Sequence, residues 1–233
     1  AYVAQSDCSE VLAYELSGAL SGTLGVAHEL RGTGLGRPMG LAVDPSGALW
    51  VADAADDRVR RVDAAPGSDP SAAIGATQPT GARDLSWAAD VAAGAGQGLW
   101  LARTDVASDA AWVDAFGPGG GWLARRRYRC YPLPEPGREA EPRRPLDHGI
   151  GPEVRIDAAG DTLVVSIVDP GGPSCVLLAG DDGAVASQIA LTETARIRDL
   201  AAHQGDPGMP YPRRVWLARD GLPVMALDPV AGA

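Results

Sequence analysis

Side chains able to do chemistry are few in this sequence and widely scattered. There are three histidines, His28, His148 and His203. A helix-borne metal motif sets two histidines on one face, four residues apart, and no pair here has that spacing. His148 lies in Asp147-His148-Gly149, at the end of a long irregular segment, and His203 closes an apolar run three residues before Asp206. For each, a loop or strand-end histidine without ligand duty is the simpler reading. Gly32-Thr33-Gly34-Leu35-Gly36 and Gly94-Ala95-Gly96-Gln97-Gly98 resemble phosphate-cradling loops, but both precede strands instead of opening helices, so they read as turns. No G-x-S-x-G elbow occurs. The adjacent pairs Asp56-Asp57 and Asp181-Asp182 read as loop and turn residues.

One segment is chemically distinctive. Residues 124–152 hold Arg125, Arg126, Arg127, Arg129, Arg138, Arg143 and Arg144 against Glu135, Glu139, Glu141 and Asp147, a local excess of three positive charges in a chain of net charge −10. Tyr128 and Tyr131 interleave with the first arginines, and Pro-rich text follows. A long excursion from a rigid scaffold can serve as a contact loop for an acidic partner or a phosphate group. The plainer reading is a solvated connection.

Charge and composition exclude some classes. An acidic surface argues against general nucleic-acid binding, which draws its affinity from basic side chains. No apolar stretch approaches the ~20 residues of a membrane-spanning helix, and no signal peptide is visible. The absence of Lys and Asn fits a GC-rich coding bias of bacterial type. Cys8, Cys130 and Cys175 form an odd set without C-x-x-C spacing. That predicts buried or free thiols, with at most one pair, and a Cys8–Cys175 pair would have to bridge separate repeats. Compartment stays open, with an extracellular or periplasmic setting favoured over a cytoplasmic one.

The elements that must position these groups repeat. Leu49-Trp50-Val51-Ala52, Leu99-Trp100-Leu101-Ala102 and Val215-Trp216-Leu217-Ala218 are near copies, with looser ones at Tyr2-Val3-Ala4 and Leu163-Val164-Val165-Ser166. The spacings of 50, 64 and 52 residues from Leu49 onward are those of a propeller or a similar array. Each repeat reads as a meander. Gly40 to Asp44, the turn Asp44-Pro45-Ser46-Gly47, Leu49 to Asp53 and Arg58 to Asp63 give three strands of the second. In the fourth, Asp182-Gly183 is a hairpin signal. The first repeat is expected to begin at its second strand, without an innermost one.

The expectation is therefore one all-β domain over residues 1–233, a propeller of about five four-stranded antiparallel blades with the first incomplete. Blades fall near 1–30, 37–80, 83–129, 153–192 and 196–230, with the insertion at 124–152. A β-sandwich is the alternative. At 233 residues such a domain buries roughly 70% of its unfolded surface, enough for a core without staples.

The second repeat resembles the NHL repeat. Pro38, Gly40, Leu41, Ala42, Val43, Asp44, Gly47, Leu49, Trp50, Val51, Ala52, Asp53, Arg58 and Val59 follow its usual text, and Asp56 stands where the family has Asn. Gln5, Arg103, Ile167 and Arg219 occupy the Asp53 position in the other repeats. The resemblance implies a propeller of the NHL, SMP-30-like superfamily. It implies structural duty for the repeat positions Asp44, Gly47, Trp50, Asp53, Arg58, Trp100 and Trp216, with Asp53 and Arg58 as a pair. SMP-30-like lactonases hold a divalent cation on Glu, Asn and Asp, a set this Asn-free chain cannot copy as it stands, although carboxylates can substitute. Related lyases rely on His. Function is thus read as a non-catalytic binding or scaffolding module of a larger protein, with no metal and no cofactor. Its ligand is an unidentified protein, small molecule or glycan, contacted by Arg125, Arg126, Arg127, Tyr128, Arg129, Tyr131, His148, His203 and Asp206. The alternative is a metal-dependent lactonase- or lyase-type hydrolase, with calcium as one candidate cation, using His203, Asp206, Asp44, Asp157 and Asp199 at the axial mouth.

Overall fold

Alternating apolar residues separated by Gly- and Asp-bearing turns leave the chain little choice but short antiparallel strands. The computed structural model describes residues 2–15, 25–30, 34–62, 72–75, 86–94, 98–105, 111–118, 120–130, 153–160, 162–168, 174–180, 182–191, 197–203, 214–219 and 221–228. They form five antiparallel sheets. Blade 1 holds β1 (Tyr2–Gln5), β2 (Glu10–Glu15) and β3 (Gly25–Leu30); blade 2 holds β4 (Pro38–Val43), β5 (Leu49–Asp53), β6 (Arg58–Val62) and β7 (Ala72–Gly75). Blade 3 comprises β8 (Ser86–Ala93), β9 (Leu99–Asp105), β10 (Ala111–Phe116) and β11 (Trp122–Tyr128). Blade 4 comprises β12 (Glu153–Ala159), β13 (Thr162–Val168), β14 (Ser174–Ala179) and β15 (Val185–Leu191), and blade 5 comprises β16 (Ile197–His203), β17 (Arg214–Arg219) and β18 (Leu222–Leu227).

Each sheet is a meander, and the sheets pack face to face in chain order. Their first strands β1, β4, β8, β12 and β16 lie side by side around a common centre. This is a β-propeller arrangement. Among the described residues no strand of blade 5 packs on β1 to a comparable degree. Two sequence expectations change here. β1 is the innermost strand of blade 1, so what that blade lacks among the described residues is a fourth, outer strand. The arginines 125–127 belong to β11 and not to an insertion, and residues 131–152 of the expected insertion lie outside the described residues.

The repeated strand explains the packing. Leu49 and Val51 point back to blade 1, clustering with Val11, while Trp50 and Ala52 point forward to Ala88, Val91, Leu101 and Phe116 of blade 3. Trp100 and Ala102 of blade 3 likewise face Ile156, Leu163 and Val165 of blade 4. Val215 and Leu217 of blade 5 pack back onto Val164, Val176 and Leu178. Every internal blade is thus apolar on both faces, and burying a Val- or Leu-sized side chain contributes about 1.5–3 kcal/mol. Gly47 takes φ +85° in the β4–β5 turn, the left-handed conformation that Gly adopts without strain.

Cys130 and Cys175 form a disulfide, 45 residues apart in sequence, joining the chain just after β11 to β14 of the next blade. Cys8 is a free, exposed thiol. The pairing corrects the expectation of unpaired thiols: two cysteines without telling spacing become neighbours only when blades 3 and 4 stack.

Candidate functional site

The five inner strands enclose a cavity of about 440 Å³ on the central axis, lined chiefly by polar surface. Tyr2, Val3 and Ala4 come from β1, Met39, Gly40 and Leu41 from β4, Asp90 from β8, Arg155, Ile156 and Asp157 from β12, and Arg198, Asp199 and Leu200 from β16. Pairing to the second strands fixes their levels. Gly40, Asp90, Arg155 and Asp199 stand opposite Ala52, Ala102, Ser166 and Ala218, and so form one level of the axis. Ala42, Ala92, Asp157 and Ala201 form the next, opposite Trp50, Trp100, Val164 and Trp216.

Bulges set which way these residues face. In β8 the register shifts between Ala88 and Asp90, so Ala88 and Val91, three apart, both pack toward blade 2. Asp90 and Ala92 then turn toward blade 4. β16 repeats the device, with Ile197 and Leu200 both packed on blade 4 and Asp199 turned away. Gly40 is needed where blade 3 presses closest. A Cβ there would collide with the Asp90 carboxylate and lie 2.6 Å from its Cα.

The axial acids are engaged by backbone. Asp90 Oδ1 accepts the Val91 N–H at 2.9 Å, and its Oδ2 accepts the Ile156 N–H of blade 4, also at 2.9 Å. Asp157 does the same one blade on, taking Ala158 N–H at 2.8 Å and Ala202 N–H of blade 5 at 2.7 Å. Burial pushes the Asp90 carboxyl up to about 7, against the pull of the Arg155 guanidinium and its two N–H donors and with a push from Asp199. Burial also raises Asp157 despite its two N–H partners, and Asp199 adds to the rise. Arg155 is itself held: Nε donates to Arg198 O and Nη1 to Val154 O, both at 3.0 Å, and Nη2 lies 3.7 Å from Glu153.

The residues expected from sequence are dispersed relative to this cavity. Asp157 and Asp199 line it; Asp90, absent from the sequence reading, is its most buried acid at 7% exposure. Asp44 instead organises the β4–β5 turn, accepting from Ser46 N–H at 2.8 Å, Ala48 N–H at 3.0 Å and Trp50 Nε1 at 2.9 Å. Burial alone would raise its carboxyl, but these donors and the Ser46 hydroxyl outweigh it and hold the group below its ordinary value. His203 is exposed at the far end of β16, its ring tilted 6.1 Å from Trp216, and it does not line the cavity. His28 belongs to β3. Tyr131, His148 and Asp206 lie outside the described residues.

The arginine cluster is built into the blade. Arg125 grips Asp114 in a two-point bond, Nε–Oδ1 2.7 Å and Nη2–Oδ2 3.0 Å. Arg126 is half-buried beside Gly183 of blade 4, and Tyr128 donates to Gly183 O at 3.3 Å. Arg127 is exposed and lies 5.6 Å over the Trp112 ring, and Arg129 is half-buried. Asp53 is fully buried, accepting Gly36, Arg37 and Ala55 N–H groups. Its ion-pair partner is Arg60 at 3.3 Å, while the expected partner Arg58 is exposed and opposes Asp53 across the β5–β6 ladder. No group of three or more metal-ligating side chains occurs among the described residues, and no described helix is long and apolar enough to cross a membrane.

No protein-family profile and no curated protein matches the sequence. Solved propellers match the fold. Hydrazine synthase of Kuenenia stuttgartiensis superposes with TM-score 0.63 and 16% identity over 99% of this chain and 60% of its own. Virginiamycin B lyase of Staphylococcus aureus gives 0.54 and 12% over 97% and 65%. The Nup133 β-propeller domain of Vanderwaltozyma polyspora gives 0.51 and 9% over 97% and 67%. The chain thus spans about three-fifths of the first of these. At such identities the likeness establishes the fold; these neighbours include a synthase, a lyase and the Nup133 β-propeller domain.

Proposed function

We propose that these residues form an NHL-type binding module, a single propeller domain over residues 1–233 within a larger protein, that holds a ligand or partner without transforming it. The observation that carries this reading is the fate of the axial acids. Asp90 and Asp157 each give both carboxylate oxygens to backbone N–H groups, one of them across a blade boundary. Such carboxylates join blades, and their orientation is fixed by the scaffold instead of by a substrate or metal. The cavity between them, with Arg155, Arg198 and Asp199 on its wall, is a polar pocket for a small ligand or a partner's side chains. Exposed Arg127 on Trp112 offers a contact point on the outer strand of blade 3. The Cys130–Cys175 disulfide supports an extracellular or periplasmic setting, where such bonds persist.

The rival reading is a metal-dependent lactonase- or lyase-type hydrolase. One observation favours it: a buried carboxyl near 7 on the axis is suited to general-base work. Thermal melts with calcium and with zinc separate the two. The binding module keeps its melting temperature, because no cation is part of its function. A rise of several degrees at micromolar metal, reversed by chelator, overturns that reading, since ligand at 100 times its Kd adds about 2.7 kcal/mol.

A further inference from the structure

We propose that the outward face of blade 5 is an inter-blade interface, built to receive a sixth blade-type sheet carried by the same polypeptide. The argument is continuity with the interfaces already present. At the boundaries of blade 2 with 3 and of blade 3 with 4, a blade offers the next one the same face: the Trp and Ala of its second strand, and the residues opposite them on its first; in blade 4 Val164 and Ser166 take the Trp and Ala places. Trp50 and Ala52 meet blade 3 in this way, and Trp100 and Ala102 meet blade 4. Trp216 and Ala218 are the next copy, opposite Ala201 and Asp199. The corresponding Ala52, Ala102 and Ser166 are at most 1% exposed, whereas Ala218 is half-buried. Asp90 and Ala92 are buried under blade 4, but Asp199 and Ala201 are exposed, as are Leu222 and Val224 of β18.

The polar grammar continues as well. Asp90 occupies the level of Arg155 and takes the N–H of the residue after it, Ile156; Asp157 occupies the level of Ala201 and takes the N–H of the residue after it, Ala202. Asp199 shares the first half of this pattern, its Oδ1 accepting the Leu200 N–H at 2.9 Å. Its Oδ2 has no partner among the described residues. β1 does not supply one, because blade 5 does not pack on it to the degree that successive blades do. The missing partner is a backbone N–H on an inner strand running beside β16, with apolar side chains to cover Ala201, Trp216 and Val224. Two solved propellers that accommodate nearly all of this chain have more than a third of their length outside the match, room for such a sheet.

Hydroxyl-radical footprinting of the polypeptide as its gene encodes it tests this, with Leu123, 65% exposed on β11, as the open reference. Leu222 and Val224 should label about tenfold more slowly than Leu123 and independently of concentration, as side chains under a packed sheet do. Labelling at the Leu123 rate overturns the proposal, and so does protection that appears only as concentration rises, which would make a second copy the occupant. Ala201→Arg gives a separate readout. In that polypeptide it should lower Tm by about 5 °C, as a charge forced into an interface does; an unchanged Tm overturns the proposal.

Discussion

The boundary between blades 2 and 3 and that between blades 3 and 4 share one architecture but are sealed by different chemistry. At the first, Arg103 of β9 is fully buried, bonded to Asp57 of blade 2 and 3.9 Å from buried Asp114, which Arg125 grips from β11. Gly40 lets the inner strands close up. At the second, Ala, Val, Leu and Ile side chains meet in an apolar cluster, and the fastening is done by the Asp90 carboxylate on the Ile156 N–H, by the Tyr128 hydroxyl on the Gly183 carbonyl and by a disulfide. Arg103 stands where blade 2 has Asp53, so one repeat position has inverted its charge and recruited the preceding blade's turn. A blade boundary tolerates either solution if the buried polar groups are satisfied.

The largest expected effect falls on the ionic boundary. Arg103→Met leaves half-buried Asp57 without its arginine, and urea unfolding should show a loss of about 3 kcal/mol, the low end of the cost of breaking a buried pair because Asp57 remains open to water. A loss below 1 kcal/mol would mean that the two boundaries do not differ in kind. Reducing Cys130–Cys175 acts on the other boundary. Opening a 45-residue loop should cost about 2–4 kcal/mol, read as a drop in Tm with reductant that a Cys130→Ser, Cys175→Ser protein no longer shows.

Titration sharpens the contrast further. Asp90 has a folded-state value of about 7, raised above 3.8, so the native state keeps a proton that the unfolded chain releases between those limits. Its contribution is whole below 3.8 and fades as pH climbs through 7, with a slope of at most about 1.4 kcal/mol per pH unit. Asp157 contributes in the same direction. Asp90→Asn should therefore gain stability relative to the parent as pH rises from 4 to 7, measured by denaturation across that range. A parallel pair of curves would contradict the buried-carboxyl account. The smallest effect is expected at Trp50→Phe, which keeps the ring in the boundary but removes the indole donor to Asp44. Loss of one hydrogen bond predicts about 1–2 kcal/mol.

Much of the fold was legible because strand period and turn chemistry agree. The run from Val154 through Asp182-Gly183 to Leu191 reads directly as four strands, and the Asp44 turn reads as a turn. The site was less legible for identifiable reasons. Asp90 sits in Trp87-Ala88-Ala89-Asp90-Val91, where a bulge reverses alternation, so a period of two assigns its face wrongly. Arg125 to Arg127 look like an exposed basic run, yet Asp114, which half-buries the first, is brought opposite only by β10–β11 pairing. The cysteine pair depends on blade stacking, for which local spacing carries no signal. His203 was drawn to the axis by its strand-end position, but the cavity lies at the start of β16, not at its end.

The Asp90 and Asp157 bonds run one way only, with the acceptor on the earlier blade and the donor on the later one. An ordering rule of that kind is local: it refers to the next unit and never to the total. Gene duplication could therefore lengthen or shorten such a protein by whole units, each arriving with its hook and its eye, while a break inside a unit would strand both.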